Sequence, residues 1–570
     1  MQFRAFTVTM FLGATLRINM RTPRAARLRA LRFSSIDAAK VTPPSPRYAR
    51  NVAWTLLGSG AVGVGYLGWA ESHGNRQIVG LSDEGLPRTY QPGEIQEYWD
   101  KHPNIALARV VTIGCTILPF LSRLLSTNYL TSDMENESVK QDYAIEFRHL
   151  LTKLGPTFIK FGQMLSIRPD VLPPIAVYEL QKLCDSVPAF PTRTAIQMVE
   201  KELGISDVTS VLDGLEEDAI PIAAASLGQV YKCRIKATGE TIALKVQRPD
   251  MLRAVSLDLY LLRKYAHFVE GFKSYLMEKG LFAKRKSYDV ELLDTFASAS
   301  YLELDYVKEG TNQEFVQEHL VPKIGKDKMH VPSVFWKFTS RKVLASEFIN
   351  GIQLAKSDKD TIRRLIPVGV KIYLTQLLDI GFFHSDPHPG NLLVDEYGRL
   401  VLIDFGLCAT VAQPDTKGMT SAIVHLMTGD VDNLVTDAIH LGFLPSDVDR
   451  NNLLPVLQRV FDEAKLKDEI KNSLLNGAGG AVSYRSVERR KRFGAISKDL
   501  NSIFFEFPFT VPNYFALITR ALIVLEGIAL TGDPQFDIFR ASYPYARSRA
   551  IHVFGFKNTA KILGAQMAME

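Results

Sequence analysis

The octapeptide His384-Ser-Asp-Pro-His-Pro-Gly-Asn391, followed closely by Asp404-Phe-Gly406, constrains this chain more than any other stretch. Residues 392–394 (Leu-Leu-Val) read as a strand, Asp395-Glu-Tyr-Gly398 as a turn and residues 400–403 (Leu-Val-Leu-Ile) as a second strand. The predicted hairpin therefore returns Asp404 to Asn391 at its open end. Two carboxylates, Asp386 and Asp404, and one amide, Asn391, then share a site at a phosphoryl-transfer spacing. In such a site one acid orients the attacking hydroxyl, while an Asn five positions on and a later Asp hold a divalent metal. His384-x-Asp386-x-His388 also carries transition-metal ligand types, yet that reading leaves Asn391 and Asp404 unexplained.

A site of this kind needs a lysine upstream, on a strand, to hold the phosphates, and Thr241-Ile-Ala-Leu-Lys245-Val-Gln247 supplies it after a turn at Thr238-Gly239. The alternating segment Gln229–Ile235 is the expected antiparallel partner. Where a glycine-rich phosphate loop would stand, the chain has Pro221-Ile-Ala223-Ala224-Ala225-Ser226-Leu-Gly-Gln229. Alanine does not take positive φ as cheaply as glycine, so this loop is expected to be stiffer and to approach the phosphates differently. The plainer alternative is that the three alanines are small packing residues.

Lys160-Phe-Gly-Gln163 within Leu154–Asp170, the alanine-rich loop, Glu303-Leu-Asp305-Tyr-Val-Lys-Glu309 and the octapeptide occur in that order. Together they resemble the UbiB family of atypical kinases, also called aarF-domain kinases, over about Gln141 to Tyr545. The resemblance implies an α+β, two-lobed protein-kinase-like fold with a UbiB-type N-terminal helical extension and insertions. It implies ATP and Mg2+ as cofactors, and involvement in prenylquinone lipid biology at a membrane. Lys160 and Gln163 would sit on a helix that folds over the site and bars a protein substrate, with Glu303 and Asp305 interacting with that lysine. Glu309 would pair with Lys245, which would hold the phosphates beneath Ala223, Ala224, Ala225 and Ser226. Asp386 would position the nucleophile, and Asn391 and Asp404 would hold magnesium. After the strand reading of Lys342–Gly351, backbone groups near Glu347 and Ile349 would face an adenine ring.

The residues themselves add two constraints. Pro156 suits a helix start, and the spacing of three puts Lys160 and Gln163 on one face. A spacing of two separates Glu303 from Asp305 on a regular helix. Ser385 stands where the family usually has Ala, Gly310 follows Glu309 where Ala is common, and Leu227-Gly228 replaces a frequent Ile-Ala. The alanine-loop variant and the ending Val524–Pro534 resemble cyanobacterial and plastid-type members.

Between Lys245 and Glu309 an insertion is expected, with amphipathic helices over 255–273 and 290–302. Further helices are expected over 362–380, 416–428 and 513–530. The domain reading is a transit peptide over 1–36, a transmembrane helix over 51–70 and a linker with helical extension over 71–140. An N-lobe over 141–345, a C-lobe over 346–546 and a tail over 547–570 complete it.

Seven arginines, from Arg4 to Arg32, precede the first acid, Asp37, which is a transit-peptide composition. Arg32-Phe-Ser-Ser35 resembles a mitochondrial processing site; the alternative is a plastid membrane or plastoglobule. Val52–Ala70 is uncharged and long enough to cross a bilayer, with Trp54 and Trp69 where interfacial aromatics would lie. Arg47 and Arg50 before it and Glu71 after it would place the kinase-like domain in the intermembrane space. Small residues four apart, such as Ser59 and Gly63, could pair helices into a homo-oligomer. The apolar run 105–125, with Arg109 and Arg123, reads as an interfacial or domain-packing helix rather than a second span.

With 46% hydrophobic and 22% charged residues the chain has the composition of a folded enzyme, and its excess of +6 sits largely in the presequence, which excludes any inference of nucleic-acid binding from charge. The four cysteines form no close pair, so no zinc site or disulfide framework is expected. The basic loop 477–492 reads as solvated. The expected function is a membrane-anchored kinase or ATPase in quinone or lipid homeostasis, with membrane lipids, prenylquinones or quinone-biosynthesis proteins as partners. The alternative is a nucleotide-dependent scaffold or lipid-binding pseudokinase with incidental turnover.

Overall fold

A computed structural model describes residues 85–126, 136–166, 172–184, 188–278, 289–385, 389–458, 513–534, 536 and 538–555. The expected presequence, the apolar segment 51–70, Asp386 with His388, and the basic loop 477–492 lie outside the described residues. Helices α1 (Pro92–Asp100), α2 (Pro103–Ser126), α3 (Glu137–Leu154), α4 (Pro156–Leu165), α5 (Pro174–Gln181) and α6 (Thr192–Leu203) come first. Strands β1 (Leu212–Asp213), β2 (Ala223–Ala224), β3 (Gly228–Ile235) and β4 (Thr241–Gln247) follow, then α7 (Met251–Glu278), α8 (Asp289–Leu302) and α9 (Tyr306–Ile324). Next come β5 (Met329–His330), β6 (Val343–Glu347), β7 (Gly351–Gln353), α10 (Lys359–Thr375), β8 (Phe382–His384), β9 (Leu392–Asp395), β10 (Leu400–Leu402) and β11 (Cys408–Thr410). Helices α11 (Gln413–Thr428), α12 (Val431–His440), α13 (Asn513–Gly532) and α14 (Ile538–Phe554) follow.

The chain divides into two compact units: residues up to Met198 with 220–230 and 246–304, and residues 199–219 and 231–245 with 305 onward. In the first, α3 and α4 meet at Gly155, whose φ of +106° suits glycine, and Pro156 opens α4 as its sequence position suggested. Phe120, Leu124, Phe147, Leu151 and Leu180 form one core, with the Phe120 and Phe147 rings stacked at 6.0 Å. The insertion helices α7 and α8 build a second core around Val255, Leu259 and Phe296, and Trp99 of α1 is wholly buried there with its indole N–H donating to Ser256. Each such aromatic or aliphatic side chain contributes about 1.5–3 kcal/mol when fully buried.

Helix α2 joins these cores through one charge. Arg109 donates to both carboxylate oxygens of Asp258 at 2.7 and 3.0 Å and to the Leu154 carbonyl, and Asp258 is 2% exposed. Its opposite side carries exposed Leu107, Val110 and Leu118. Among the described residues, Pro103–Leu124 is long and apolar enough to cross a membrane, with a mean hydropathy of 1.9. Thr112 and Thr116 return their hydroxyls to the helix's own carbonyls, which leaves them satisfied in an apolar setting.

In the second unit, strands order β1-β3-β4-β6, with the β3–β4 hairpin closed at the expected turn, where Gly239 has φ +77°. A four-stranded sheet of order β5-β10-β9-β7 holds the predicted hairpin, antiparallel with Leu400 opposite Val394 and Leu402 opposite Leu392. Asp395 sets its turn, accepting from the amides of Tyr397 and Arg399 and from the Arg399 side chain, while Gly398 takes φ +74°. Helix α10 begins on an Asp358 cap and runs into a π-turn, Gln376–Ile380, ended by left-handed Gly381. The core lies among α9, α10, α13 and the second sheet, with Leu320, Ile366, Leu392, Phe405 and Leu525 all buried.

Helices α11 and α12 are joined by His425, whose Nδ1 is 2.7 Å from Asp437 Oδ2. The hydrogen bond to Asp437 raises this imidazole above its ordinary 6.5, against the opposing effect of burial. A raised histidine pKa means the fold favours the proton, so the pair's contribution is complete below about pH 6.5 and is lost as pH rises through the folded value. We expect the difference in melting temperature between the protein and Asp437→Asn to narrow between about pH 6 and pH 9; a constant difference over that range would contradict the pairing.

Candidate active site

Asp305 starts the helix on which the site depends. Its carboxylate accepts from the amides of Val307 and Lys308, capping α9, so this acid is placed as a helix cap. Tyr306 follows, buried, with its ring 5.0 Å from the Lys245 ammonium. One turn into the helix, Glu309 is 3% exposed and receives Lys245 Nζ on both oxygens, at 2.7 and 2.9 Å. The expected pairing of Lys245 with Glu309 is present. Burial lowers the lysine pKa, but the charges of Asp404 and Glu309 outweigh it and hold it well above its ordinary value.

The hairpin performs the juxtaposition its sequence predicted. Asn391 ends a short helical turn at the start of β9, and its carbonyl accepts from the Ile403 amide at 3.1 Å, so Asp404 is the next residue beyond the pair. Asp404 Oδ1 lies 3.5 Å from Lys245 Nζ and accepts from Gly406 N. The Asp404 backbone is left-handed, with φ +65°, a region that costs a non-glycine residue about 1 kcal/mol or more. His384 Nε2 meets the Asp404 carbonyl at 2.5 Å, and the Asn312 amide donates to the Phe405 carbonyl at 3.0 Å. A Cβ on Gly406 would stand 3.3 Å from Asp404 Oδ1 and 3.4 Å from Glu309 Oε2, so glycine fits this crowded corner.

The remaining motifs divide between the units. In the first, Lys160 pairs with Glu303 and Gln163 donates to the Leu183 carbonyl. Gly162 of the same motif is packed so tightly that an added Cβ would lie 2.5 Å from Leu183 and 2.6 Å from Leu151, both buried. Ala223 and Ala224 form β2 against Val230 and Gln229, Ala225 donates to the Gly228 carbonyl, and Ser226 is buried. In the second unit, the Glu347 carboxylate is held by His330 and the Ser333 amide. The His330 bond lowers its pKa against burial, so the side chain belongs to the fold, and the amides of Glu347 and Phe348 donate to the Ser333 and Thr241 carbonyls. Asp386 lies outside the described residues.

Sequence reasoning missed three polar positions. Arg248 clamps the alanine loop, donating to the Ala225 and Pro188 carbonyls, and Gln376, 1% exposed, accepts from the His384 amide. Asn312 is the third. Polar residues three positions after Lys245 and Glu309 were the available signal. Cys408 is partly buried, and burial together with Glu309 and Asp404 pushes its thiol up, which keeps it protonated.

Of the family departures, Gly310 has a local reason and Ser385 has none among the described residues. A Cβ on Gly310 would stand 3.0 Å from the Trp336 ring, so this chain's tryptophan occupies the space an alanine would use. Ser385 is 2% exposed, and its hydroxyl has no partner among the described residues. Ser385→Ala is therefore expected to raise unfolding free energy by about 1 kcal/mol in denaturant titration, because a buried unmatched hydroxyl is removed; destabilisation would overturn that account.

The donor set suits a hard cation. Asp404 supplies a carboxylate with a side chain 48% exposed and Asn391 an amide oxygen, the oxygen donors that magnesium takes alongside phosphates and water. A family model described as the ABC1 atypical kinase-like domain matches residues 182–438. An uncharacterized protein of Synechocystis sp. is 37% identical over 469 residues, 81% of this chain and 63% of its own. Protein ACTIVITY OF BC1 COMPLEX KINASE 3, chloroplastic, of Arabidopsis thaliana is 35% identical over 467 residues, 81% of this chain and 60% of its own. A second uncharacterized Synechocystis protein is 36% identical over 471 residues, 81% of this chain and 76% of its own. The chain thus spans 63% and 60% of the length of the first two relatives.

Proposed function

Because this chain belongs to the ABC1 atypical kinase-like family, the UbiB or aarF-domain kinases, we propose that it is a membrane-anchored kinase or ATPase that binds Mg-ATP and supports prenylquinone or lipid homeostasis. The observation that carries the reading is the Lys245–Glu309 pair beside Asp404. Lys245 holds the phosphates, Glu309 keeps the ammonium in place, and Asn391 and Asp404 hold the metal. Magnesium, when bound, would neutralise phosphate charge. By family resemblance Asp386 orients the nucleophile, and the alanine loop and backbone groups near Glu347 and Ile349 are nucleotide-binding elements. The Lys-x-Gly-Gln helix, which by family resemblance bars protein substrates, favours ATP hydrolysis over phosphorylation of a protein in trans. The N-lobe is assigned to 141–345 and the C-lobe to 346–546.

Membrane attachment is supported by the uncharged segment 51–70 and by the exposed apolar side of α2, which suits an interfacial position. The relatives named chloroplastic support a plastid address, whereas the arginine-rich presequence supports a mitochondrial one. An organelle address is read from the presequence rather than from the folded domain, so we take the inner mitochondrial membrane. A fusion of residues 1–50 to a fluorescent protein is expected to enter mitochondria; plastid import would reverse the assignment.

The full chain, reconstituted with and without anionic lipid, is expected to release phosphate from Mg-ATP faster with lipid, and Asp404→Ala is expected to reduce release to background. Nucleotide binding without release would favour the scaffold reading, and vigorous phosphorylation of an added protein would overturn the ATPase assignment.

A further inference from the structure

Helix α9 presents two buried polar side chains one turn apart. Glu309 is taken by Lys245; Asn312, three residues on and 5% exposed, donates its amide N–H to the Phe405 carbonyl at 3.0 Å. That carbonyl belongs to the residue directly after Asp404, and Phe405 itself is fully buried with its ring edge-on to His384 at 5.5 Å. Two consecutive carbonyls are therefore held by side chains from different elements: Asp404 by His384 of β8, and Phe405 by Asn312 of α9. Just ahead of both carbonyls sits the left-handed φ of +65° at Asp404, a conformation that persists only where its surroundings over-determine it.

We propose that Asn312 is a positioning residue for the metal-holding carboxylate. It ties the Asp404-Phe405 backbone to the helix that carries Glu309, so one helix sets both the lysine's partner and the direction of the carboxylate. The proposal rests on Asp404 being a metal ligand. Without the amide, the Phe405 carbonyl is left with only the weak Cys408 thiol donor at 3.5 Å, the backbone gains a reason to leave the left-handed region, and the carboxylate turns from its present aim. The Lys245–Glu309 pair, closed by its own two hydrogen bonds, keeps its hold on phosphate.

The test separates metal-dependent from metal-free nucleotide binding in the full chain, using a fluorescent ATP analogue titrated in EDTA and then in magnesium. Asn312→Asp keeps the volume but places an acceptor against the carbonyl. It is expected to leave the EDTA affinity unchanged and to raise the half-saturating magnesium concentration about tenfold, in line with the loss of a buried hydrogen bond. Asn312→Ala brings no buried charge and is expected to give the same split if the aspartate variant fails to fold. Asp404→Ala, run in parallel, is expected to abolish the magnesium effect. If Asp404→Ala abolishes it while both Asn312 variants match the parent protein, the positioning role is wrong. If Asp404→Ala leaves the magnesium effect intact, the metal assignment beneath it is wrong. Equal weakening in EDTA and in magnesium would mark Asn312 as part of general packing and would also overturn the proposal.

Discussion

The ion pair between Lys245 and Glu309 is the constraint around which the second unit is arranged. A carboxylate 3% exposed cannot stay charged there without a partner, and removing one member of such a pair costs about 3–5 kcal/mol. The lysine is delivered by β4, held in its sheet between β3 and β6, the glutamate by a helix whose start is fixed by the Asp305 cap. Either element displaced by one residue would bury a charge alone. The pair therefore fixes the phase of α9, and that phase decides which other side chains of the helix reach the Asp404-Phe-Gly turn.

The same economy recurs in the first unit with different residues. Arg109 satisfies a buried aspartate from α7 and a carbonyl from α3 at once, which holds an otherwise apolar helix at a set rotation about its axis. Lys160 and Glu303 join two motifs more than a hundred residues apart. Around them the packing leaves little latitude, as the crowding at Gly162 illustrates. These buried pairs differ from exposed ones such as Lys101–Glu97 and Arg363–Asp360, which water and salt screen; burial makes the geometry of the former obligatory.

Of the two strained backbone positions among the described residues, one falls at the chemistry. Asp404 and Asp250 are the non-glycine residues with positive φ among those described, and the first is the residue assigned to metal. Its conformation is supported by two side chains that hold its own carbonyl and the next one. This is the usual division between groups that touch a substrate and groups that hold them still.

Much of the site was legible in the chain itself. The turn chemistry of Asp395 and Gly398, with apolar runs on either side, fixes a hairpin, and a hairpin must return residue 404 to residue 391; spacing and local propensity suffice for that. Lysine on an alternating strand and the helical periodicity of the insertion were equally local. The roles of Gln376, Arg248 and Asn312 were not, because each is defined by a backbone group outside its own turn that only packing brings within hydrogen-bond reach. Nor could sequence foresee why glycine stands at 310, since the space is filled by a tryptophan twenty-six residues later. The chain alone determined which chemistry it carries and which short segments present it; the tertiary structure decided which buried polar groups hold that chemistry in place, because satisfying a buried group depends on three-dimensional neighbours and leaves no period or spacing to read.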